Sequence, residues 1–316
     1  MMPWLMTGLG LAILLLAGDV LVRGAVNLSL RIGIPALIVS LTIVAFGTSA
    51  PELLIGISAI SEGKPGLALG NVVGSNTANA LLVLGLPAIL SRMHTSHIDT
   101  KRSYYMMMIA SLGFIALAFM GTLTWITGLV LLGGLALVLG DQVREARGHM
   151  AGAATEEDIA DLEGVDPDMP WWKIGLYLVL GLIGLPMGAD LLVDNASIIA
   201  REFGVSDAVI GLTLVALGTS LPELATTVMA ALRNQADVAM GNVIGSNIFN
   251  LLGIIGVTTL FGPIPVDPEF LRFDLWVMLA ASLVLAPFAI FGRDIGRRWG
   301  VALTALYIVY VVVVLS

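Results

Sequence analysis

A stretch of the first half of the chain recurs almost unchanged in the second half. LTIVAFGTSAPEL (41–53) matches LTLVALGTSLPEL (212–224) at 10 of 13 positions, and GNVVGSNTAN (70–79) matches GNVIGSNIFN (241–250) at 7 of 10. Both pairs are separated by 171 residues. The best-matched positions are polar, which a duplication without function does not explain. We therefore expect a fold made of one structural unit used twice, with matched polar residues.

The repeated segments lie in a chain that is too apolar for a water-soluble domain. Apolar residues make up 58% of the 316 residues and charged residues 12%, with a mean hydropathy of +0.97. An average globular protein has about 25% charged residues. Uncharged runs such as 126–140 approach the roughly 20 residues that cross a bilayer core. Ten spans are predicted at about 3–22, 33–60, 66–91, 103–121, 124–141, 172–193, 205–232, 236–262, 272–291 and 299–316.

The predicted fold is all-α and polytopic, with ten transmembrane helices in two inverted five-helix repeats. If the connections alternate between two sides, only Lys64, Arg201 and Arg272 of the 15 basic residues lie on one face. This asymmetry follows the positive-inside rule and predicts that both termini are extracytoplasmic. An odd number of spans, five, separates equivalent points of the repeat. The second unit should therefore cross the membrane in the opposite direction to the first.

The predicted boundaries are a first repeat at 1–141, an acidic cytoplasmic linker at 142–171 and a second repeat at 172–316. The linker contains TEEDIADLEGVDPDMP but lacks the spacing and glycine of an EF-hand, so we interpret it as a solvated connection. The first 20 residues lack the basic region of a signal peptide and should remain as a helix. The absence of cysteine excludes disulfides and thiolate metal sites.

A proline interrupts each GTSxPE segment. Pro51 and Pro222 lie four residues after Gly47 and Gly218, and proline has no N–H to bond the carbonyl four residues earlier. Unpaired carbonyls within a membrane are tolerated where they line a cavity or contact a ligand. The pattern predicts two broken helices with exposed backbone oxygens.

The matched polar residues predict a site for hard cations. Glu52 and Glu223 lie near the middle of predicted spans, where a carboxylate is costly and usually functional. Their neighbours offer oxygen donors without imidazole or thiolate, a set that suits Ca²⁺ or Na⁺. The candidate side-chain donors are Thr48, Ser49, Glu52, Ser75 and Asn79 in the first repeat and Thr219, Ser220, Glu223, Ser246 and Asn250 in the second. Two carboxylates neutralise one Ca²⁺, and they could equally hold Na⁺ ions or protons.

The paired GTSxPE and GNVxGSN motifs resemble those of the cation/calcium exchanger superfamily, and most closely its prokaryotic sodium/calcium exchanger branch. The resemblance implies calcium at Glu52 and Glu223 with the backbone carbonyls of Thr48 and Thr219. It also implies sodium sites and a gate formed by sliding of the first and sixth helices. The implied sodium ligands are Ser49, Ser75 and the Ala45 carbonyl in one half and Ser220, Ser246 and the Ala216 carbonyl in the other. A well-known family member has aspartate where this chain has Asn250, so two carboxylates remain here.

The expected function is antiport of Ca²⁺ against Na⁺ by alternating access. The alternatives are a Ca²⁺/H⁺ antiporter and, further away, a cation channel. We do not expect an enzyme, because the apolar spans contain neither an HExxH pair nor a nucleophile with a histidine base. No cofactor is expected beyond the transported ions. The expected partners are those ions and the lipid bilayer, without nucleic acid or an obligate protein, in a prokaryotic plasma (inner) membrane.

Overall fold

The described part of the chain is a bundle of helices with one short pair of strands. The computed structural model describes residues 1–149, 166, 168–205, 210 and 216–315. In chain order, the helices are α1 (Met2–Ile32), α2 (Ala36–Thr48), α3 (Ala50–Ser61), α4 (Pro65–Leu90), α5 (Lys101–Ala118), α6 (Trp125–His149), α7 (Trp171–Glu202), α8 (Ala216–Gly218), α9 (Leu221–Leu232), α10 (Ala236–Phe261), α11 (Phe270–Ala289) and α12 (Arg297–Leu315). Strands β1 (Thr122–Leu123) and β2 (Ile264–Pro265) pair antiparallel.

The helices overlap the predicted apolar spans, although α1 and α7 continue to Ile32 and Glu202, past the predicted ends at 22 and 193. Within the described residues, seven helices are long and apolar enough to cross a membrane, or eight if the bent pair of α2 and α3 counts as one span. Helix α9 is a shorter apolar helix, and residues 206–209 and 211–215 of the predicted seventh span lie outside the described part. Helix α6 continues into the predicted linker as far as residue 149, whereas residues 150–165 and 167 of that linker are also outside it. The all-α, polytopic architecture is thus confirmed.

The boundaries of the helices repeat at the offset of 171 residues. The first and last residues of α3 and α9 correspond one to one at this offset, as do the first residues of α4 and α10. Gly33 and Gly204, another matched pair, both have positive φ, at 70° and 80°, where the chain leaves α1 and α7. Glycine suits such left-handed turns because it has no Cβ to clash with the backbone. Local chain geometry therefore repeats together with the sequence.

Helices α4 and α10 form the interior of the bundle. The most apolar 18-residue window is 78% buried in α4 and 83% buried in α10, against 11–33% in α1, α6, α7, α11 and α12. Leu137 and Trp172, on the outer helices, are 77% and 70% exposed. Contiguous exposed apolar surface of this kind suits contact with lipid rather than water. The bundle thus presents apolar outer helices and encloses the two helices that carry the GNVxGSN motifs.

Close packing against α10 depends on two of its glycines. A Cβ atom on Gly245 would clash with the Leu41 carbonyl oxygen, and one on Gly241 would lie 2.7 Å from the Leu37 carbonyl oxygen. Glycines at this four-residue spacing predict a close approach of helices, and the second half confirms it. The matching Gly74 has no neighbour within 4 Å of such an atom among the described residues, and positions 208 and 212, which correspond to Leu37 and Leu41 in the repeat, lie outside them.

Two loops are tied together at one end of the bundle. Asp294, which precedes α12, accepts hydrogen bonds from the Ser96 backbone N–H at 3.1 Å and from Arg92 at 2.8 Å, and lies 3.3 Å from His94 Nδ1. Burial raises the pKa of this carboxyl, but the surrounding hydrogen bonds outweigh that effect and lower its pKa to about 2. The ion pair joins the loop after α4 to the loop before α12.

Candidate cation site

Each GTSxPE segment forms a break between two helices. Helix α2 ends at Thr48 and α3 begins at Ala50, with a bend of 40° between them. Ser49 at the break has φ −86° and ψ 5°, and its counterpart Ser220 has φ −87° and ψ 2°. The proline that follows each serine occupies the first turn of the next helix, where a missing N–H costs little. The two predicted helix breaks are present, with the same local backbone.

The backbone carbonyls at the first break are hydrogen-bonded, although the sequence predicts that the proline leaves one of them unpaired. The Gly47 carbonyl accepts a backbone N–H at the C-terminal cap of its helix segment, so it is not left unpaired. The Ala45 carbonyl accepts the Ser49 N–H at 3.1 Å and the Thr48 hydroxyl at 3.3 Å. The turn at the break supplies a donor to the Gly47 carbonyl in place of the one that Pro51 lacks, whereas the Ser49 bond to Ala45 is an ordinary helical bond. Sodium binding by Ala45 would therefore have to share or replace these donors.

Both glutamates lie in the first turn of a half-helix, Glu52 in α3 and Glu223 in α9. Each is fully buried and they are close enough to interact electrostatically. The positive end of the helix dipole favours a carboxylate at this position. Ser49 donates to Glu223 Oε1 at 3.0 Å, and Ser246 donates to the same oxygen at 3.4 Å. Glu223 is therefore held by hydroxyls from both halves of the chain.

The candidate residues leave several buried oxygens without a hydrogen-bond partner among the described residues. These six atoms are Glu52 Oε1 and Oε2, Glu223 Oε2, Ser220 Oγ, Asn79 Oδ1 and Asn250 Oδ1. A buried acceptor without a donor costs about 1–3 kcal/mol, and a charged one costs more. Unsatisfied buried oxygens on matched residues of both halves suit cation binding, because a cation satisfies acceptors that lack a donor.

Threonine and asparagine side chains join the two halves beside the glutamates. The Thr48 hydroxyl donates to Asn242 Oδ1 at 3.2 Å, and Thr219 lies in the corresponding contact with Asn71 Oδ1 at 3.4 Å. Asn242 in turn donates to the Glu223 backbone carbonyl at 3.2 Å. These bonds attach each broken helix to the GNVxGSN helix of the other half.

The remaining candidate residues lie on the same elements. Ser75 is buried on α4, with 4% of its surface exposed, and Ala216 begins the short helix α8 directly after residues 211–215. Asn79 and Asn250, both fully buried, lie in π-helical turns at 79–83 and 249–254. Such turns interrupt α-helices, often at functional sites. Nine of the ten polar candidates bond to another polar residue of the site or carry a buried oxygen without a partner among the described residues. The tenth, Ser75, lies on α4 one turn before Asn79.

Four asparagines were not identified as site residues from the sequence. They are Asn71 and Asn76 in the first half and Asn242 and Asn247 in the second. Asn79 donates to Asn247 Oδ1 at 3.1 Å, and Asn250 donates to Asn76 Oδ1 at 3.0 Å. They form two matched pairs of the repeat, Asn71 with Asn242 and Asn76 with Asn247, and this matching is the sequence feature that could have identified them.

An ion cluster joins α1 to the C-terminal end of α9. Asp19 bonds to Arg23, one turn along α1, at 3.1 Å. Asp19 also bonds to Arg233, which the sequence did not indicate. Asp19 and Arg233 have side chains only 15% and 14% exposed. This contact attaches the middle of α1 to the C-terminal end of the second broken helix.

The part of the chain that the structure describes contains no group of three or more His, Cys, Asp or Glu residues that could hold a metal ion. The candidate site instead combines two carboxylates with hydroxyl and amide oxygens. Such a mixed oxygen set is compatible with a hard cation that is bound and released.

Comparisons with known proteins agree with this arrangement. The sodium/calcium exchanger protein family matches residues 2–142 and 173–316. The putative antiporter CaxA of Alkalimonas amylolytica is 39% identical over 280 residues, which cover 87% of this chain and 86% of that protein. The sodium/calcium exchanger MaX1 of Methanosarcina acetivorans is 34% identical over 336 residues and covers 96% of both chains.

A solved structure is also similar over almost the whole chain. The sodium-calcium exchanger NCX_Mj, soaked with Na⁺ and Sr²⁺, superposes with a TM-score of 0.83 at 33% identity and covers 99% of this chain and 98% of its own. The chain belongs to the sodium/calcium exchanger family. It is therefore an integral membrane protein of a transporter family, an antiporter of the calcium exchanger class.

Proposed function

We propose that the protein exchanges Ca²⁺ for Na⁺ across the membrane by alternating access. The observation that carries this proposal is the set of six buried oxygens on Glu52, Glu223 and the other candidate residues that have no hydrogen-bond partner among the described residues. Both glutamates are fully buried, and their neighbours offer oxygen ligands alone. A hard cation is the ligand that satisfies several such oxygens at once. The name of MaX1, a sodium/calcium exchanger, supports the choice of Na⁺ and Ca²⁺.

The charges of the two glutamates provide a physical basis for exchange. Oxygens on opposite sides of one Ca²⁺ lie about 5 Å apart, because each Ca–O distance is about 2.3–2.6 Å. Two carboxylates at about 5 Å repel each other by roughly 3 kcal/mol at an effective dielectric constant of 20. The empty, ionised site is therefore unfavourable. Since one charge pair is shared, Ca²⁺ and Na⁺ should occupy it in turn.

The proposed ligands come from both halves of the chain. Glu52 and Glu223 bind calcium with the backbone carbonyls of Thr48 and Thr219. The proposed sodium ligands are Ser49, Ser75 and the Ala45 carbonyl on one side and Ser220, Ser246 and the Ala216 carbonyl on the other. Asn79 and Asn250 complete the set with their side-chain oxygens, which have no other partner among the described residues.

The proposed topology is ten membrane spans in two inverted repeats, at 1–141 and 172–316, joined by the acidic segment 142–171. The matched bounds of α3 and α9 and the asymmetric distribution of basic residues support it. An inverted arrangement places the two broken helices together near the membrane midplane. Both termini are then extracytoplasmic, in the plasma membrane of a prokaryote.

Flux measurements with separate gradients test the proposal. The purified protein is reconstituted into liposomes, and ⁴⁵Ca²⁺ uptake is driven either by an outward Na⁺ gradient or by a pH gradient of equal size. We expect uptake with the Na⁺ gradient and little with the pH gradient. Uptake driven by pH alone would instead establish Ca²⁺/H⁺ antiport. Calcium entry that needs neither gradient would indicate a channel.

A further inference from the structure

We propose that Asn76 and Asn247 are positioning residues that hold the side-chain amides of Asn79 and Asn250 with their oxygens available to the transported cation. This inference rests on the proposed cation site. The side chains of Asn76 and Asn247 are not themselves proposed as cation ligands. Their role follows from a chain of hydrogen bonds that begins at backbone carbonyls in the centre of the bundle.

The first step in this chain is fixed by chemistry. Asn76 donates from Nδ2 to the Asn247 backbone carbonyl at 3.2 Å, and Asn247 donates from Nδ2 to the Asn76 backbone carbonyl at 3.5 Å. A backbone carbonyl can only accept, so the nitrogen of each amide must face it. Both side chains are 1% exposed. The orientation of these two amides is thereby determined, and each Oδ1 is left as an acceptor.

In the second step, the oxygens of these two amides determine the orientation of the proposed ligands Asn79 and Asn250. Asn250 donates from Nδ2 to Asn76 Oδ1 at 3.0 Å, and Asn79 donates from Nδ2 to Asn247 Oδ1 at 3.1 Å. Because the nitrogens are committed to these bonds, both Oδ1 atoms remain as acceptors. Neither Oδ1 has a hydrogen-bond partner in the described residues, and both residues are fully buried. An inverted amide would instead present hydrogen-bond donors to a cation.

The same geometry explains why asparagine suits position 250. An ionised aspartate there would place a second acceptor oxygen about 3.0 Å from Asn76 Oδ1, where Asn250 now donates. To restore a donor, the Asn76 amide would have to turn and lose its bond to the Asn247 carbonyl. The identity of residue 250 and the orientation of Asn76 therefore depend on each other.

A double-mutant cycle on Ca²⁺ binding tests the positioning role. Equilibrium ⁴⁵Ca²⁺ binding is measured on the purified, detergent-solubilised protein for N76A, N250A and the double variant. We expect N76A to weaken binding about tenfold, the size of effect that loss of one buried neutral hydrogen bond gives. If Asn76 acts through Asn250, the double variant should bind about as weakly as N250A alone. Losses that simply multiply in the double variant would overturn the inference, as would unchanged binding by N76A.

Thr77 offers a matched control on the same helix. It is fully buried next to Asn76, but its hydroxyl bonds within its own helix to the Val73 carbonyl at 3.0 Å. The corresponding residue in the second half is Ile248, so T77I introduces a side chain that the repeat already accepts. We expect T77I to bind Ca²⁺ like the unmodified protein. A loss equal to that of N76A would show a general packing effect and contradict a positioning role.

Transport kinetics and the second half of the repeat provide further checks. A positioning role raises the KM for Ca²⁺ in N76A and leaves the maximal rate per folded molecule nearly unchanged, whereas misfolding lowers the maximal rate. If N76A does not fold, the cycle of N247A with N79A tests the same geometry, and additivity there refutes it. Unmodified protein that binds no Ca²⁺ would refute the proposed function and this inference together. Normal binding with an additive cycle would refute this inference alone.

Discussion

Neutralising one glutamate should affect Ca²⁺ far more than Na⁺. The variant E52Q keeps the size of the side chain and removes one of two fully buried charges. The attraction between Ca²⁺ and a carboxylate centred about 3 Å away is roughly 11 kcal/mol at an effective dielectric constant of 20. For Na⁺ it is about half as much, because the ion carries half the charge.

These values are gross attractions, since a neutral amide oxygen still coordinates and a neutral side chain is easier to bury. Even if only a quarter of the Ca²⁺ value remains as a net loss, about 3 kcal/mol, affinity falls by more than about a hundredfold. The remaining single carboxylate matches one Na⁺ in charge. We therefore expect E52Q to lose Ca²⁺ exchange and to retain measurable Na⁺ binding.

The assay is Na⁺-driven ⁴⁵Ca²⁺ uptake into proteoliposomes, with Na⁺ binding measured on the same preparations. E223Q should behave in the same way, because the oxygen of the substituted amide can still accept the Ser49 hydroxyl and the fold is kept. E62Q is the control for the same chemical change: Glu62 lies just beyond α3, where its side chain is 55% exposed and bonds to Lys64. Retained Ca²⁺ exchange in either E52Q or E223Q would refute the shared-site mechanism.

Three further changes test the packing and the ion pairs. G245A should destabilise the bundle by about 1–3 kcal/mol, measured as a lower thermal midpoint, because the added methyl group collides with the facing backbone. R233Q should lower that midpoint by weakening the attachment of α1 to α9 through Asp19, and D19N combined with R233Q should add little. The lowered pKa of Asp294 contributes stability above about pH 4 that is lost as pH falls towards 2, and D294N should remove this dependence in acid unfolding experiments.

The fold was predictable from the sequence because lipid imposes a simple rule on apolar length. The helices occur where long apolar runs occur, and the breaks occur two residues before Pro51 and Pro222, at Ser49 and Ser220. The close helix approach at Gly241 and Gly245 follows from the spacing of these glycines, but the backbone carbonyls that they face, those of Leu37 and Leu41, depend on how the two halves dock.

The polar side chains near the glutamates were predictable as a group but not in their contacts. Repetition identified Ser49, Ser246 and Glu223, whereas the bonds from both serines to one carboxylate oxygen depend on how the halves dock. The sequence does not distinguish Asn76 and Asn247 from asparagines that only pack beside a ligand. Their proposed role depends on the backbone carbonyls to which they donate, and these contacts form only when the halves dock.

Competition between Na⁺ and Ca²⁺ at equilibrium tests the central claim most directly. ⁴⁵Ca²⁺ binding to the purified protein is titrated with increasing Na⁺ at constant ionic strength. If both ions share the site of Glu52 and Glu223, one Ca²⁺ should bind per chain and Na⁺ should displace it fully and competitively. Bound Ca²⁺ that persists at saturating Na⁺, or that remains unchanged in both E52Q and E223Q, would contradict the account.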